Sequence, residues 1–435
     1  MNKRLIKHFI GRVQDELEDN ILPFWLEHIF DPKTGGFVGE LSHDLAMVPD
    51  AGKGLVLNAR LLWAFSAMGA FTKNERCFAA ADYAYQLLRK EFWDERYGGG
   101  FWALDKDSVP AVRLKKTYGQ GFFIYGLAEY YLRSGDISAL NLAQKLFHLI
   151  ETHAFDTDYQ GYFEVMEEDW RLSENQQLSE EDLNAPKSMN THLHLMEAYT
   201  HLYSVWQDML LAERLRGLID IFCHKILDAA AGHFQLFFDA AWHSRNGHIS
   251  FGHDIEGSWL LCRAADVLGD PVLQEEAAKI AIQITEAVYR EGLNSHYGLI
   301  HGSDGNGELN PEAHFWCQAE GVVGFLNVFQ LSKQPHFLES AWKIWQFIEN
   351  YQIDKEYGEW FWKLDANHRP DRSMPKISEW KCPYHNGRAC IEAAQRLNAL
   401  LHEPVQKKRK ILGYGQERKI EGDRSASKKI SAVDE

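Results

Sequence analysis

Two histidines stand where predicted helices begin, and histidine is the side chain best suited to proton transfer near neutral pH. His253 is followed three residues later by Glu256, a spacing that predicts a hydrogen bond between the two side chains on a helix. His385 follows Pro383 at the start of the last predicted helix, where the helix dipole disfavours the imidazolium. We therefore predict that His385 acts as the base and that His253, supported by Glu256, acts as the acid.

Other polar residues fall on apolar helical segments, where a side chain needs a polar ligand or an ion-pair partner. Arg60 has only apolar neighbours three and four positions away. Asn190, His194 and Glu197 follow one another at spacings of four and three, so they form one polar stripe, whereas His192 points to the other side. The pattern predicts that Arg60 and His194 face a ligand and that His192 is a core residue. A structural ion pair is the alternative for Arg60.

Aromatic and acidic residues accompany these groups in a pattern typical of sugar recognition. Trp316 and Glu320 open one predicted helix, and Trp380 precedes His385. An indole face packs against the C–H surface of a sugar ring, while carboxylates bind its hydroxyls. The sequence contains no H-E-x-x-H pattern and no phosphate-loop, dinucleotide or serine-hydrolase signature, so we predict neither a metal ion nor a nucleotide cofactor.

The elements that hold these residues repeat six times along the chain. Glycines followed by large or aromatic residues recur at intervals of 60 to 71 residues, and the apolar residues between them have helical spacing. Segment 73–92 is amphipathic, which is typical of an outer helix, whereas 319–329 is apolar nearly all round, which is typical of an inner one. Six such hairpins predict an all-α (α/α)6 barrel with short β-strands at one end; an open solenoid is the alternative. The recurring glycines are Gly36, Gly99, Gly161, Gly232, Gly298 and Gly358, and the predicted helices are 3–29, 53–70, 73–92, 117–134, 136–152, 186–205, 208–227, 254–269, 271–291, 312–331, 335–351 and 386–402.

Composition and charge restrict the partners. The chain has 435 residues, 45% of them hydrophobic, and a formal net charge of −16. A large core is therefore available, and neither nucleic acid nor a membrane is an expected partner. The six cysteines have no C-x-x-C spacing, which favours a reducing cytoplasm over a disulfide framework or a zinc ribbon. We expect a cytoplasmic monomer or weak homodimer.

The chain divides into two parts of different composition. Because the six repeats build one ring, residues 1–404 are predicted to form a single catalytic domain. Residues 405–435 contain nine Lys or Arg and five Asp or Glu, with few apolar residues. This composition predicts a basic, disordered tail.

Six motifs, in order along the chain, resemble the N-acylglucosamine 2-epimerase family and most closely its cellobiose 2-epimerase branch. They are Asn58-Ala59-Arg60, Tyr118-Gly119-Gln120, Met189-Asn190-Thr191-His192-Leu193-His194, Gly252-His253-Asp254-Ile255-Glu256, Trp316-x-Gln318-Ala319-Glu320 and Trp380-Lys381-Cys382-Pro383-Tyr384-His385-Asn386-Gly387-Arg388. The resemblance covers about residues 5–402. It implies an (α/α)6 barrel that epimerises C2 of the reducing-end glucose of cellobiose or lactose, without metal or nucleotide.

The resemblance also assigns roles to individual residues. It implies catalysis by His253 and His385, with Glu256 supporting His253. Phe315 stands where the branch usually has tryptophan, which leaves the preferred substrate length open. The residues that the resemblance places around the sugar are Arg60, Tyr118, Asn190, His194, Trp316 and Trp380, with Glu320 as an addition.

The chemistry of the residues agrees with an epimerase. Inversion at C2 needs one group that removes a proton and a second that returns one to the opposite face, and two histidines can do this through a cis-enediolate. Arg60 is predicted to stabilise the oxyanion. The alternatives are aldose–ketose isomerisation of mannose or glucose, N-acylglucosamine 2-epimerisation, glycoside hydrolysis by Glu256 and Glu320, and a non-catalytic sugar-binding toroid.

Overall fold

A computed structural model describes residues 3–33 and 36–402 of the chain. Within this part, the first two α-helical segments are joined by the π-helical turn Leu17–Ile21 into one long helix. Three further π turns, Leu88–Phe92, Phe222–Ile226 and Ile348–Gln352, extend the C-terminal ends of α4, α8 and α12. The helices are α1 (Lys3–Glu16), α2 (Leu22–His28), α3 (Leu55–Thr72), α4 (Glu75–Leu87), α5 (Thr117–Ser134), α6 (Ile137–His153), α7 (Met189–Val205), α8 (Met209–Ile221), α9 (Phe251–Leu268), α10 (Pro271–Glu291), α11 (Phe315–Ser332), α12 (Pro335–Phe347) and α13 (Tyr384–His402).

The helices form two concentric rings. In the inner ring α3 packs on α5, α5 on α7, α7 on α9 and α9 on α11. Helix α13 closes the ring, since Arg396 donates to Asn327 of α11 at 3.0 Å and the ring of Tyr384 lies 5.6 Å from that of Trp63 in α3. Each inner helix from α3 to α11 also packs on the outer helix that follows it. The predicted (α/α)6 barrel is confirmed.

The position of each helix follows from its sequence. Helix α11 is buried on nearly all sides, whereas α4 buries one stripe of small and apolar residues, so both predicted placements are confirmed. The outer helices α4, α6, α8 and α10 begin after Asn74, Asp136, Asp208 and Asp270, whose side chains accept backbone N–H groups of the first turn. These N-caps determine where these four outer helices begin, whereas α12 begins after Gln334 without a side-chain cap.

The repeated glycines lie in tight hairpins that lead from an outer helix to the next inner one. Gly99, Gly161, Gly232 and Gly358 have φ between 79° and 83°, a left-handed conformation that favours glycine. Side chains of inner helices hold several of these hairpins in place, and Asn20 of the first helix holds the one at Gly358. Gln120, for example, donates to the carbonyl of Gly100 and accepts from its N–H, both at 2.8 Å.

Short strands join neighbouring hairpins at this end of the barrel. All pairings are antiparallel: β1–β2–β3 and β10–β11–β12 form three-stranded sheets, and β4–β5, β6–β9, β7–β8 and β13–β14 form two-stranded ones. Several strands lead directly into inner helices, so helix α3 begins two residues later than predicted. The strands are β1 (Lys53–Gly54), β2 (Ala103–Leu104), β3 (Pro110–Val112), β4 (Lys115–Lys116), β5 (Val165–Met166), β6 (Lys187–Ser188), β7 (Leu227–Asp228), β8 (His233–Phe234), β9 (Phe237–Phe238), β10 (Ile249–Ser250), β11 (Gly302–Ser303), β12 (Leu309–Asn310), β13 (Ala313–His314) and β14 (Lys363–Leu364).

One inner helix has the length and composition of a membrane-spanning segment. Among the described residues, helix α3 is long and apolar enough to cross a membrane, but 78% of it is buried inside the fold, as an inner helix must be.

The predicted disordered tail, residues 405–435, lies outside the described residues.

Candidate active site

The inner helices begin at the end of the barrel that carries the strands, so the polar residues of their first turns converge near the axis. His253 lies in the first turn of α9, and His385 and Trp316 lie in the first turns of α13 and α11. The indole ring of Trp316 is 4.6 Å from the ring of His253 and 5.7 Å from that of His385, between centroids. Both predicted catalytic histidines therefore contact one indole ring.

His385 is held by a carboxylate. Its Nδ1 lies 2.7 Å from Oε1 of Glu320, while Trp259 donates to Oε2 of the same carboxylate at 2.9 Å. An ionised carboxylate only accepts hydrogen bonds, so Nδ1 of His385 carries a proton and Nε2 keeps its lone pair. Burial, together with the positive charges of Arg60 and Arg388, lowers the pKa of His385 well below its ordinary value. The neutral imidazole is therefore a base with one defined tautomer.

His253 has a different partner from the one predicted. Its Nδ1 lies 2.8 Å from Oγ of Ser250, the residue that caps helix α9. A hydroxyl can donate or accept, so Ser250 supports either tautomer of His253. Burial and then the neighbouring His194 and His301 lower the pKa of His253 well below its ordinary value. No hydrogen bond joins His253 to Glu256 among the described residues.

Glu256 is instead drawn to an arginine of another helix. Arg388 of α13 donates from Nη2 to Glu256 at 2.7 Å and to Glu320 at 2.8 Å. Glu256 lies 3.8 Å from Nδ1 of His385. A full positive charge competes more strongly for a buried carboxylate than a neutral imidazole does, which explains why the local spacing misled the prediction. The structure places Glu256 behind His385 and not behind His253.

The carboxyl groups around Arg388 differ in acidity. Burial and the nearby charge of Glu320 raise the pKa of Glu256 well above its ordinary value. Burial also raises the pKa of Glu320, although Arg388 opposes this shift. For Glu197 burial is outweighed by Arg388 and His194, and its pKa falls to about 2. Glu256 is thus the carboxyl of this group that holds a proton most readily.

Arg60 is a buried cation without a carboxylate partner among the described residues. Its Nη2 donates to the hydroxyl of Tyr118 at 2.7 Å, and its guanidinium stacks 4.1 Å from the ring of Phe122 and 4.8 Å from that of Tyr384. Its Nε is buried and has no hydrogen-bond partner. The predicted alternative, a structural ion pair with a core carboxylate, is not formed, and the charge is available to an anionic group on the axis.

The polar stripe of α7 completes one wall. His194 is buried and its Nδ1 lies 2.9 Å from Glu197, while the ring of Tyr118 meets it edge-on at 5.2 Å. Asn190 and His253 line one cavity of about 150 Å³, and Oδ1 of Asn190 has no partner. His192 is fully buried and accepts the backbone N–H of Tyr162 at 2.9 Å, so its predicted role in the core is confirmed.

Trp380 adds a second indole to the site. Its ring is 5.9 Å from the ring of Tyr118 and 6.1 Å from that of Trp102. Trp380 is only partly buried, so part of the indole is open to a ligand. Tyr118 thus connects Trp380 to His194 and Arg60 in one continuous wall.

Three side chains of this site are of types that bind metal ions in proteins. Single ligand atoms of Glu256, Glu320 and His385 lie within 4.8 Å of one another. Arg388 donates to both carboxylates, so a guanidinium already supplies the positive charge that these groups need. Residues of the chain therefore satisfy part of this donor set, while Oε2 of Glu256 is buried and has no hydrogen-bond partner among the described residues.

The sequence-based prediction assigned no role to three residues that position the groups of the site, namely Arg388, Ser250 and Trp259. Arg388 stands three residues after His385 on the same helix, and this spacing could have revealed it. Ser250 lies four residues before the predicted helix 254–269 and is the N-cap of the observed helix α9, which begins earlier. Trp259, which donates to Glu320, has no distinguishing signal in the sequence because it resembles any buried tryptophan.

The sequence and the fold are similar to those of known sugar epimerases. Residues 35–387 match the profile of the family described as N-acylglucosamine 2-epimerase (GlcNAc 2-epimerase). A cellobiose 2-epimerase of Bacteroides fragilis is 42% identical over 381 residues, which are 87% of this chain and 97% of that protein. The chain belongs to the N-acylglucosamine 2-epimerase family. The predicted family is thereby confirmed.

Other members of the N-acylglucosamine 2-epimerase family resemble the chain over a similar length. A cellobiose 2-epimerase of Dictyoglomus turgidum is 37% identical over 393 residues, covering 90% of this chain and 100% of that protein. The solved structure of cellobiose 2-epimerase from Bacillus thermoamylovorans B4167 is 37% identical and has a TM-score of 0.86, covering 90% of this chain and all of that chain. Within the family, the chain thus resembles the cellobiose 2-epimerases from end to end of the barrel.

Proposed function

We propose that the chain is a cellobiose 2-epimerase, which interconverts glucose and mannose at the reducing end of β-1,4-linked disaccharides such as cellobiose and lactose. The observation that carries the proposal is the pair of histidines beside Trp316, each with Nδ1 engaged by a neighbouring side chain. Family members of that name, 42% and 37% identical to the chain, support the same substrate class.

The reaction starts from the open-chain aldehyde form of the reducing-end sugar. Nε2 of His385 takes the proton from C2, the electrons of the C–H bond form the C1–C2 double bond, and the carbonyl oxygen becomes negatively charged. Glu320 accepts the Nδ1–H of the resulting imidazolium and stabilises it. His253, protonated from solvent beside the negatively charged enediolate, then donates that proton to the opposite face of C2 and returns to the neutral imidazole. The aldehyde of the epimer re-forms, and His385 releases its proton to solvent. The histidines exchange roles in the reverse direction.

The cis-enediolate needs positive charge and hydrogen-bond donors near its oxygens. Arg60 supplies a guanidinium that is oriented by Tyr118 and has no carboxylate of its own. A well-placed donor of this kind is worth about 10²–10³ in rate. Asn190 and His194 would bind hydroxyls of the same sugar, while Trp316 and Trp380 would pack against its C–H surface. Glu256 and Glu320 would act behind His385, in contact with Arg388.

Incubation with cellobiose in D2O, with EDTA and without nucleotide, tests the proposal. The expected product is glucosyl-mannose with one deuterium at C2, identified by chromatography and mass spectrometry. The variant His243→Gln is a matched control, because the side chain of His243 is 78% exposed and lies outside the site; it should retain full activity.

Each of the other possible products would contradict the proposal and support one of the alternative functions. Free glucose would indicate glycoside hydrolysis, and a disaccharide that ends in a ketose would indicate protonation at C1 by an aldose–ketose isomerase. Unchanged cellobiose would contradict the proposal. Mannose, and N-acetylglucosamine with ATP, would then test monosaccharide isomerisation and N-acylglucosamine 2-epimerisation.

The proposal extends to the organisation of the protein. Residues 1–404 would form the catalytic domain, in keeping with the compact unit Met1–Leu401, and 405–435 a basic tail outside catalysis. All six cysteines are free and buried, which suits a cytoplasmic enzyme. A monomer or weak homodimer is expected, and analytical ultracentrifugation would measure this.

A further inference from the structure

A second concavity lies on the barrel axis, at the end opposite to the candidate active site. This rear cavity has a volume of about 490 Å³ and is lined by the C-terminal halves of α3, α5, α7 and α9, together with α13. Its floor includes Arg388 and Glu197. The same two residues contact the catalytic groups on the other side, so they separate the two cavities. The volume lies within the range of about 300–1,000 Å³ that is typical of small-molecule sites.

The walls of the rear cavity combine aromatic surface with hydrogen-bonding groups. Trp63, Tyr125 and Trp259 contribute ring surface from three different helices. His201 and Glu129 face each other across the cavity wall, with Nε2 and the carboxylate 2.7 Å apart. Indole and phenol surface beside polar groups suits a ligand with C–H faces and hydroxyls.

Two buried donors of the rear cavity have no acceptor among the described residues. They are Nε1 of Trp63 and Nε of Arg388, in side chains that belong to residues only 6% and 2% exposed. A buried N–H group without an acceptor is unfavourable. Because both side chains line the cavity, a rotation that turns either N–H group toward it would let an oxygen-bearing ligand supply the missing acceptor.

The charges of the rear cavity disfavour an anion. The inner helices run from the active-site end to the rear end, so their negative dipole ends surround the rear cavity. Glu129, Glu197 and Glu392 also line it, against Arg263, Arg388 and the titratable His201. We propose that the rear cavity is a second binding site for a neutral polyhydroxylated molecule of about monosaccharide size, separate from the catalytic cavity.

Crystals soaked in methyl α-D-glucopyranoside test this directly. A glycoside cannot open to the aldehyde, so turnover does not consume the probe. We expect the sugar between Trp63 and Trp259 in the full-length protein. Density for the sugar only in the catalytic cavity, or in neither cavity, would overturn the proposal.

Calorimetric titration in solution provides the quantitative test. Ala67 lines the rear cavity and is half-buried, so Ala67→Trp should fill the cavity and remove one equivalent of glycoside binding. Ala79→Trp, at an exposed position of the outer helix α4, is the matched control and should bind as the parent does. Equal binding by the parent and both variants would overturn the proposal.

Two further measurements keep the result interpretable. A melting curve shows whether Ala67→Trp is folded; if it is not, Leu132→Trp replaces it, because Leu132 lines the same cavity and is 53% exposed. Sodium sulfate is titrated as a second probe and should not bind. Sulfate that binds in competition with the glycoside would overturn the assignment to a neutral ligand.

Discussion

The two histidines proposed to be catalytic lie in the first turns of two inner helices but have different partners. His385 is held by the carboxylate of Glu320, which is in turn bound by Arg388. His253 is held by the hydroxyl of Ser250. A carboxylate defines the tautomer and stabilises the imidazolium, whereas a hydroxyl does neither. The difference favours His385 as the group that takes the first proton from cellobiose.

Removal of either imidazole should have the largest effect. His253→Asn and His385→Asn should each lower kcat/KM for epimerisation by roughly 10²–10⁴. In D2O the two variants should differ, because only His385 removes the C2 proton of cellobiose. His253→Asn should still exchange this proton for deuterium without forming mannose, and His385→Asn should not. Mass analysis of recovered cellobiose measures the exchange; equal exchange in the two variants would contradict the assignment.

Loss of the carboxylate behind His385 should have the next largest effect. Glu320→Gln retains the size of the side chain but removes the charge that supports the imidazolium, and kcat/KM should fall by about 10². Glu349→Gln, on the outer ring in contact with Arg12, is the control and should be close to the parent. An unchanged rate in Glu320→Gln would show that the carboxylate is not needed to activate His385.

The corresponding change behind His253 should be smaller. Ser250→Ala removes a neutral hydrogen bond worth about 0.5–1.5 kcal/mol, so kcat/KM should fall by at most about tenfold. Ser250 also caps helix α9, so the melting temperature should be measured alongside the rate. A loss as large as that in Glu320→Gln would remove the contrast between the two histidines.

The smallest expected effect is a displacement of the acid limb of the pH profile, which reports the pKa of His385. Activity requires neutral His385, whose pKa is lowered by burial and by Arg60 and Arg388. Protonation therefore needs more acid than usual, and kcat/KM should hold through about pH 6.5, the ordinary value for histidine, and fall only below it.

Two variants should move this acid limb in opposite directions. Arg60→Met removes a positive charge and should move the limb to higher pH, and Glu320→Gln removes a negative charge and should move it to lower pH. The position of the limb is read separately from the height of the profile. A limb that stays in place in both variants would show that another group titrates.

Much of the fold and part of the site could be predicted from the chain. The glycine hairpins at Gly99, Gly161 and Gly358 repeat because each needs the same left-handed turn, and this requirement is local. His192 and His194 could be assigned to opposite sides of α7 because helical spacing alone separates them. The partner of His253 could not be assigned from the sequence. Ser250 and Glu256 both lie three residues from His253, and only their surroundings in the folded protein determine which of them binds it.

Local sequence patterns account for the number of repeats, the inner and outer helices, and the histidines that face the axis. These features depend on the spacing of residues that are close along the chain. The charged partner of each histidine depends instead on contacts between distant helices. Arg388 binds Glu256 across 132 residues and Glu320 across 68, and closure of the ring brings these groups together. In a buried site a carboxylate pairs preferentially with a full positive charge, so Glu256 contacts Arg388 and the local hydrogen bond predicted for His253 and Glu256 is not formed.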